Sequence, residues 1–556
     1  MLIDRRGFAK GAAAFAAAGV FSGKAAAQRL VAGSPQARAL AAIRDYAEAH
    51  RRYLNLPGMT VGVTSPSGFA TSLSVGFANA ETRAPIAPDT LVQIGSISKS
   101  FLSALLHQFA QEGRFKLSDR IVRLLPETAL PRTSPIEVQH LLDHVAGLPG
   151  DPPLFVRGGL WTAYAPGKHW HYSNTGYDLL GQLAEHFGKK PLDRLLAERI
   201  FEPLGMRLTR GAITSGERLL YAQGYEAADE TVPFVRGAPF AQAPWVDVTT
   251  GAGCIGSTAS DMNHYLRTLA NAAKGLGGMG LGAKEALAYV THKVPSDSPE
   301  MAYGNGLMHV EDKGRRYLHH TGGMVSFASS FHVDVDNGVG AFASSNVSAF
   351  LDYRPRKLTF FAVQALAAAE AGQKLPDPPA LEPKLPEAAD YVGIYRTSTG
   401  RSFEVRGGPR LTIISNGNEA PLEPAGENSF RTLHPDFRAF TLMFERGNGK
   451  AIVAHWGPQS FVREGVMAKL PGSDPALARL AGRYVNDSPW WGTTIVVERG
   501  GKLWIGTDTP MTPVGKNRWR VGEESWSPER ASFADFIDGQ PQTFVFSGVE
   551  FARQDT

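Results

Sequence analysis

The chain is organised around the stretch Gly95-Ser-Ile-Ser-Lys-Ser-Phe101, which opens an apolar run with helical spacing. Ser96 and Lys99 are three residues apart, so on a helix they share one face, near an N-terminus whose first backbone N–H groups lack helical partners. A serine hydroxyl becomes nucleophilic when a base removes its proton, and a lysine amine can be that base if burial keeps it partly neutral. Because Ser-x-x-Lys also occurs by chance, the rest of the chain must supply partners.

Length and composition narrow the possible classes of protein. The 556 residues exceed what one hydrophobic core organises, so we expect about two to four domains. A hydrophobic content of 43% and a charged content of 20% are typical of globular proteins. A net charge of +4 without a basic run argues against nucleic acid as a partner. The single cysteine, Cys254, excludes an intramolecular disulfide and is typical of a small buried residue.

The N-terminus has the pattern of an export signal. Asp4-Arg-Arg-Gly-Phe-Ala-Lys10 precedes a short apolar run, 11–21, and a small-residue cleavage pattern at Ala25-Ala-Ala27. This order resembles a bacterial twin-arginine signal, although a disordered terminus with a chance Arg-Arg pair would look similar. We expect a signal peptide at residues 1–27, a mature protein in the periplasm or outside the cell, and no stable membrane anchor after cleavage.

The spacing of apolar residues beyond the signal is typical of an α+β domain. Helices are expected at 37–53, 117–125, 135–149 and 353–369, and strands at 59–63, 72–77, on both sides of Thr321-Gly-Gly323, and at 339–345. His140 and His144 lie one helical turn apart in the helix expected at 135–149. No third ligand accompanies them, so packing or capping is their expected role and neither a metal nor a cofactor is expected.

A second motif, Tyr172-Ser-Asn174, places a phenol and a carboxamide two residues apart just before a helix. Asparagine is also a favoured N-cap, so Asn174 has a structural alternative, and Tyr172 is compatible with simple packing.

The C-terminal third changes character after residue 372. Five prolines in 373–386 indicate a linker. Beyond it, Tyr391-Val-Gly-Ile-Tyr395 recurs as Leu480-Ala-Gly-Arg-Tyr484, and Phe461-Val-Arg463 recurs as Phe551-Ala-Arg553. Matched ends at nearly one offset predict two small antiparallel β-barrel domains, 387–472 and 473–556, behind a catalytic domain at 28–372.

Three motifs now stand in one domain, in the order Ser96-x-x-Lys99, Tyr172-x-Asn174 and His320-Thr-Gly322. Over about 40–369 the chain resembles the serine β-lactamase and penicillin-binding-protein superfamily, especially its class C β-lactamase, family VIII esterase and D-aminopeptidase branches. The resemblance implies an antiparallel sheet flanked by helices. The two β-barrel domains are most similar to the architecture of D-aminopeptidase.

The resemblance also implies roles for the motif residues. Ser96 would attack an acyl carbonyl, while Lys99 and Tyr172 share the proton transfers. The implied substrate-binding residues are Asn174, His320, Thr321 and Gly322, and the implied oxyanion donors are the backbone N–H groups of Ser96 and Gly323. We expect burial to lower the pKa of Lys99 and the adjacent ammonium to lower that of Tyr172, so that the pair titrates together.

One residue departs from the common pattern. His320 stands where penicillin-binding proteins and most β-lactamases carry lysine, and a largely neutral imidazole is a weak anchor for a substrate carboxylate. The D-aminopeptidase branch has His-x-Gly here, and a loop of its last domain offers an acid to the substrate's amino group. Glu523 and Glu524 lie about where that loop should be, although no motif fixes them and a solvated turn is the favoured interpretation.

The sequence therefore predicts an exported serine hydrolase acting on a small-molecule or short-peptide acyl substrate, as a D-aminopeptidase-type amidase or peptidase. A carboxylesterase is the close alternative, because esters form the same acyl-enzyme. A D-alanyl carboxypeptidase or weak β-lactamase is a third possibility, and a non-catalytic protein that binds penicillin or cell-wall ligands a fourth. The sequence leaves the oligomeric state and the stereochemical preference open.

Overall fold

The computed structural model describes residues 33–156, 159–351, 353–382, 385 and 387–554. The predicted export signal at 1–27 lies outside this range, as do parts of the predicted linker. Within the described ranges, no helix combines the length and the apolar character needed to cross a bilayer.

The N-terminal part of the chain is built on a nine-stranded antiparallel sheet. Its strands in spatial order are Ala84–Pro85, Ala70–Asn79, Gly58–Thr64, Val339–Ser345, Ala328–Asp334, Arg315–Gly323, Leu307–Asp312, Met301–Gly304 and Val294–Pro295. Gly58–Thr64 pairs with Val339–Ser345, and both strands are buried along their whole length. These two central strands come from opposite ends of the segment, so their pairing joins its beginning to its end.

Helices cover both faces of this sheet. On one face Pro35–Leu54 packs with Arg356–Glu370, burying Ile43 and Phe361. On the other face Ser98–Gln111 buries Phe101 and Leu105 completely in a larger core. The remaining α-helices of this part are Ile121–Leu124, Val138–Leu142, Asn174–Gly188, Leu192–Leu196, Glu202–Leu204, Ala259–Ala273 and Ala283–Thr291. The predicted α+β domain is confirmed, with Ser98–Gln111 at its centre.

Short elements complete the domain. They are the 3₁₀ turns Gly95–Ile97, Ser215–Leu220 and Ala349–Leu351, the π-helical turn Ala197–Phe201, and two small ribbons, Val92–Gln93 with Gly256–Ser257 and Tyr225–Ala227 with Phe240–Gln242.

The first β-domain is a nine-stranded antiparallel sheet that is nearly closed. Its strands in spatial order are Asn418–Pro421, Thr412–Ser415, Ser402–Arg406, Gly393–Arg396, Gln459–Arg463, Lys450–Trp456, Leu442–Gly447, Ser429–Arg431 and Glu423–Gly426. The two edge strands are neighbours in sequence but do not pair, so closure stops one ladder short of the predicted barrel. A short helix, Ala388–Tyr391, precedes the first strand.

The last β-domain closes completely. Its strands are Gly482–Val485, Thr493–Arg499, Lys502–Ile505, Thr509–Gly515, Arg518–Val521, Arg530–Ile537, Gln540–Phe546 and Val549–Gln554, with a helical turn, Pro475–Ala478, before them. The first strand pairs with the last, which removes both sheet edges. The general prediction of an α+β domain followed by two barrel-like β-domains is confirmed, while its residue boundaries stay predictions.

Three local predictions are wrong. Residues 117–125 and 135–149 were expected to be helical, but only Ile121–Leu124 and Val138–Leu142 are. The second helix stops because His144 adopts a left-handed backbone with φ 60°. The two strands expected around Thr321-Gly-Gly323 form as Arg315–Gly323 and Ala328–Asp334, but Thr321-Gly-Gly323 belongs to the first strand and the turn follows at 324–327.

Candidate active site

The short turn Gly95–Ile97 brings Ser96 against the end of the strand Arg315–Gly323. Gly95 has φ 53°, and a Cβ there would lie 2.7 Å from the backbone nitrogen of Gly323. At Gly322 a Cβ would lie 1.9 Å from the carbonyl oxygen of Ile94. The glycines therefore permit a close backbone approach between the nucleophile turn and the strand.

Lys99 is completely buried behind Ser96. Its Nζ donates hydrogen bonds to Ser96 Oγ at 3.0 Å, to Asn174 Oδ1 at 2.6 Å and to the carbonyl oxygen of Ala252 at 2.7 Å. Burial lowers the pKa of Lys99 to about 7, although the negative charges of Asp178 and Asp151 oppose the shift. A neutral amine would still donate to the amide and carbonyl oxygens, which only accept, and its lone pair would then face the Ser96 hydroxyl.

The orientation of the Asn174 amide is fixed by a residue that the motif analysis missed. Asn174 Nδ2 donates to Asp151 Oδ1 at 2.6 Å, so its Oδ1 must point towards Lys99. Asn174 is the first residue of the helix Asn174–Gly188, whose N-cap is Ser173, with its Oγ accepting from the N–H of Gly176. The alternative that Asn174 is the cap is therefore wrong.

Tyr172 lies beside Ser96, and its phenol hydrogen-bonds the serine hydroxyl. Burial raises the pKa of Tyr172 well above its ordinary value, and the hydrogen bond with Ser96 only partly offsets the rise. The expected lowering by the lysine ammonium is wrong, because Lys99 Nζ lies over the face of the Tyr172 ring, 4.9 Å from its centroid, instead of next to its hydroxyl. Tyr172 is thus a neutral phenol at pH 7.

His144 holds Tyr172 in place from three directions. Its carbonyl oxygen accepts the N–H of His171 at 2.8 Å, and its Nδ1 accepts the N–H of Ser173 at 3.1 Å, so it bonds the residues on both sides of Tyr172. Its ring also packs against the Tyr172 ring, with centroids 4.2 Å apart. The left-handed backbone of His144 is what allows one residue to make all three contacts.

His140 has a separate role. Its Nδ1 accepts the N–H of Glu137 in a capping box at the start of Val138–Leu142. Among the described residues, no cluster of histidine, cysteine, aspartate and glutamate has the arrangement of a metal site. Cys254 is buried, and burial raises the pKa of its thiol to about 12, which makes it an unreactive packing residue.

His320 lies on the neighbouring strand with both ring nitrogens occupied. Nδ1 is 2.6 Å from the carbonyl oxygen of Thr321, and Nε2 is 3.1 Å from the hydroxyl of Tyr303. Burial and, to a smaller extent, the positive charge of Lys99 lower the pKa of His320 to about 3. The side chain is therefore neutral, which matches the sequence expectation that it cannot anchor an anion.

A cavity of about 680 Å³ opens in front of Ser96. Its lining from the catalytic domain comprises Ser96, Asp151, Trp170, Tyr172, Asn174, Asp297, Met308, His320, Thr321, Gly323, Phe350 and Arg354. Trp490 and Trp491 of the last β-domain complete the lining. Gly322, predicted to bind substrate, is not part of this lining and instead faces Ile94. The other predicted site residues line this cavity, except Lys99, which is buried behind Ser96.

The acidic loop expected from the last domain is not where the sequence placed it. Glu523 and Glu524 are solvent-exposed and do not line the cavity. The acid that reaches the catalytic domain is Glu529, whose Oε1 accepts the N–H of Gly150 at 2.7 Å and lies 2.9 Å from His171 Nε2. Gly150 precedes Asp151, which lines the cavity. The Glu529 carboxylate therefore positions this part of the cavity wall without lining the cavity itself.

Sequence reasoning missed Asp151, Asp178, Glu529 and the two tryptophans. Asp178 Oδ1 accepts the N–H of Ala252 at 3.2 Å and thereby orients the carbonyl that faces Lys99. Asp151 follows Pro149-Gly150 in a loop, which is a usable signal because loops next to a site often carry its polar groups. Trp490-Trp491 is an unusual pair, but no spacing links it to Ser96.

The site residues lie within a segment that matches a known family model. A model described as Beta-lactamase matches residues 43–365. Over 232 residues the chain is 30% identical to a β-lactamase of Pseudomonas fluorescens, which covers 40% of this chain and 62% of the relative. Over 187 residues it is 28% identical to a D-aminopeptidase of Brucella anthropi, and this alignment covers 30% of this chain and 35% of the relative.

The fold has relatives among solved structures. The octameric penicillin-binding protein homologue from Pyrococcus abyssi superposes with a TM-score of 0.56 at 21% identity. The superposition covers 77% of this chain and 98% of that chain, so it extends beyond the catalytic domain. The sequence alignments are shorter, and the chain spans 62% or less of the length of these two curated relatives.

Proposed function

The chain belongs to the Beta-lactamase family, and from that premise we propose that it is a serine hydrolase that forms an acyl-enzyme on Ser96. Within this class we infer a D-aminopeptidase-type amidase or peptidase that acts on short D-residue or cell-wall-derived peptides. The D-aminopeptidase relative supports this choice, and the position of Asp151 carries it.

Proton transfer follows from the contacts of Lys99. Its pKa of about 7 leaves a neutral fraction near pH 7, and in that form the amine lone pair faces the Ser96 hydroxyl across 3.0 Å. Lys99 therefore takes the serine proton as Ser96 attacks the carbonyl carbon. Tyr172 stays a neutral phenol beside Ser96, so it gives its proton to the leaving nitrogen as the C–N bond breaks, and the proton that Lys99 took from Ser96 passes to the phenolate and restores both groups.

The negative charge of the tetrahedral intermediate needs fixed donors. We assign this role to the backbone N–H groups of Ser96 and Gly323, and the close approach of the turn to the strand end supports the assignment, since a Cβ at Gly95 would lie 2.7 Å from the Gly323 nitrogen. Removing one such donor typically costs about 3 kcal/mol in the activation barrier.

Recognition of a free amine is assigned to Asp151. Its side chain is open to the cavity, while protein surrounds the carboxylate on its other sides. Burial raises the pKa of Asp151, whereas Asn174 and Lys99 lower it, so the carboxylate lacks full compensation and gains from a bound cation. A substrate ammonium one carbon from the scissile carbonyl would supply that cation, and neutral His320 would not compete with it.

The export signal supports a location in the periplasm or outside the cell, where cell-wall peptides occur. Fractionation of a producing bacterium tests this location. Replacing Arg5 and Arg6 by lysine should retain the protein in the cytoplasm, whereas unchanged export would contradict a twin-arginine route.

The test of the activity is a set of paired substrates. We expect kcat/KM on D-alanine p-nitroanilide to exceed that on its N-acetyl form by about 100-fold, because acetylation removes the ammonium that Asp151 binds. Asp151→Asn should lower the rate on the free amine by a larger factor than the rate on the acetylated substrate, and a loss common to both would report the positioning of Asn174. Equal rates on both substrates would contradict the aminopeptidase, and faster turnover of p-nitrophenyl acetate than of every amide would favour the esterase.

A further inference from the structure

The last β-domain supplies one wall of the active-site cavity through a single hairpin loop. Trp490 and Trp491 lie in residues 486–492, between the first two barrel strands. Both side chains are half-buried. The remaining aromatic surface faces the cavity, together with Phe350 of the catalytic domain, which is 57% exposed. Exposed aromatic surface in front of a nucleophile is costly unless a ligand covers it.

The loop is held rigidly. The N–H groups of Trp491 and Gly492 both donate to the carbonyl oxygen of Ser488, at 3.0 and 3.1 Å. The N–H of Ser488 donates to Asn486 Oδ1 at 2.8 Å, and Asn486 Nδ2 donates to the carbonyl oxygen of Glu550 at 2.8 Å. The backbone that carries the tryptophans is therefore preorganised before a substrate arrives.

The two tryptophans are anchored to different domains. Trp490 packs against the catalytic core, and its ring lies 6.2 Å from that of Phe350, nearly perpendicular at 85°. Trp491 packs against the barrel core, with its ring 6.3 Å from that of Phe551. The pair thus fixes the width of the cavity at the boundary between the domains.

The polar and aromatic walls have different positions relative to Ser96. Asp151 and Asn174 form the polar wall at the start of the helix Asn174–Gly188. Phe350 follows Ala349, whose Cβ lies 3.0 Å from where a Gly323 side chain would begin, so the aromatic wall adjoins the oxyanion strand. If the acyl residue's ammonium binds Asp151, the group on the other side of the scissile bond faces the tryptophans.

We propose that Trp490 and Trp491 form the binding subsite for a large apolar, preferably aromatic, leaving residue of a peptide. This inference rests on the proposed hydrolysis at Ser96 and adds the chemical class of the leaving group. An aromatic side chain gains from burial and from edge-to-face contacts with the indole rings, whereas a glycine or ammonia leaving group gains neither.

The experiment compares D-alanyl-phenylalanine with D-alanyl-glycine as substrates of the full chain. We expect kcat/KM to favour the phenylalanine peptide by about tenfold or more. Trp490→Ala and Trp491→Ala should each reduce that ratio towards one, because the rate on the phenylalanine peptide falls by a larger factor than the rate on the glycine peptide. Phe536→Ala is the matched control, since Phe536 is an exposed aromatic residue, 51% accessible, on the same barrel but away from the cavity.

An unchanged ratio in both tryptophan variants, or a wild-type ratio near one, would overturn the subsite. A failure of the proposed function has a different signature, namely no cleavage of either peptide. In that case the same variants are measured on the benzyl and ethyl esters of N-acetyl-D-alanine. Loss of a benzyl preference in the tryptophan variants would support the subsite without the peptidase, and absence of turnover on both series would overturn both proposals.

Discussion

The two β-domains begin with the same construction. In each, a glycine of the first strand lies against an arginine of the final strand, Gly393 against Arg463 and Gly482 against Arg553, where a Cβ would come within 2.9 Å of the guanidinium group. The hairpins that follow differ. The first domain connects its first two strands through 397–401, whereas the last uses the longer loop 486–492.

That difference decides which domain belongs to the active site. The longer loop adds the tryptophan pair that lines the cavity, and the first β-domain contributes no residue to the lining described above. The first domain still contacts the catalytic domain, through an ion pair between Glu423 and Arg236 at 2.6 Å. A shared scaffold has thus acquired a different role at one loop, which is how function is commonly added to a fold.

The largest expected effect concerns the chemical step, which we assign to the catalytic domain and to neither β-domain. Lys99→Ala removes the amine that we propose takes the Ser96 proton, so kcat/KM should fall by about 10²–10⁴-fold on every substrate. Steady-state kinetics on D-alanine p-nitroanilide measures the loss. D-Alaninamide has a leaving group that is too small to reach the tryptophans. If a variant in either β-domain lost as much activity on D-alaninamide as Lys99→Ala does, the assignment of the chemistry to the catalytic domain would be contradicted.

The second prediction concerns pH. Because the neutral form of Lys99 is the base, kcat/KM should rise with pH through the Lys99 pKa of about 7 and fall about tenfold per unit below it. The fall occurs because protonation of the amine fills the lone pair that accepts the serine proton. Trp491→Ala should keep the same midpoint, since the tryptophan shapes the cavity but does not contact Lys99. A profile without an ionisation between pH 6 and 8 would contradict Lys99 as the base.

The third prediction compares one glutamate from each β-domain. Glu529→Gln replaces the charged acceptor of the Gly150 N–H and His171, so the wall carrying Asp151 should shift and kcat/KM should drop about tenfold. Glu423→Gln is the matched variant, because it also breaks a contact with the catalytic domain but one remote from the cavity. Its kcat/KM should stay within about twofold of the wild-type value.

Thermal unfolding separates this effect from simple loss of stability. Equal activity losses in the two glutamate variants would show that domain contacts in general, and not the position of Glu529, support the site.

These contrasts also show what the sequence could predict. Ser96, Lys99, Tyr172 and Asn174 were identified because each pair lies within one turn of chain, where spacing translates directly into geometry. The tryptophans and Glu529 were missed because they reach the site through barrel closure, which depends on pairing between strands far apart in sequence. No local pattern specifies such a contact.

The repeat was visible in the sequence because the repeated residues make the same structural contacts in both β-domains, and only certain residue types can make them. The hydroxyl of Tyr395 donates to the carbonyl oxygen of Tyr391 at 2.8 Å, and that of Tyr484 donates to the carbonyl oxygen of Leu480 at 2.7 Å. Each bond links the first strand to the helical turn before it. The repeated residues do not include the hairpin loops. The contribution of the longer loop to the cavity could therefore be seen only in the structure.

The smallest expected effect tests whether the shared construction is equally strong in both domains. Tyr395→Phe removes the one hydrogen bond to Tyr391, whereas Tyr484→Phe also removes an acceptor for Arg553 Nη1, which lies 3.0 Å from the hydroxyl. We expect losses of unfolding free energy of about 1 kcal/mol for Tyr395→Phe and about 2 kcal/mol for Tyr484→Phe. Urea denaturation followed by circular dichroism measures both, with activity on D-alaninamide as the control for an intact site. The reverse order would contradict a stabilising contribution from the contact between Tyr484 and Arg553.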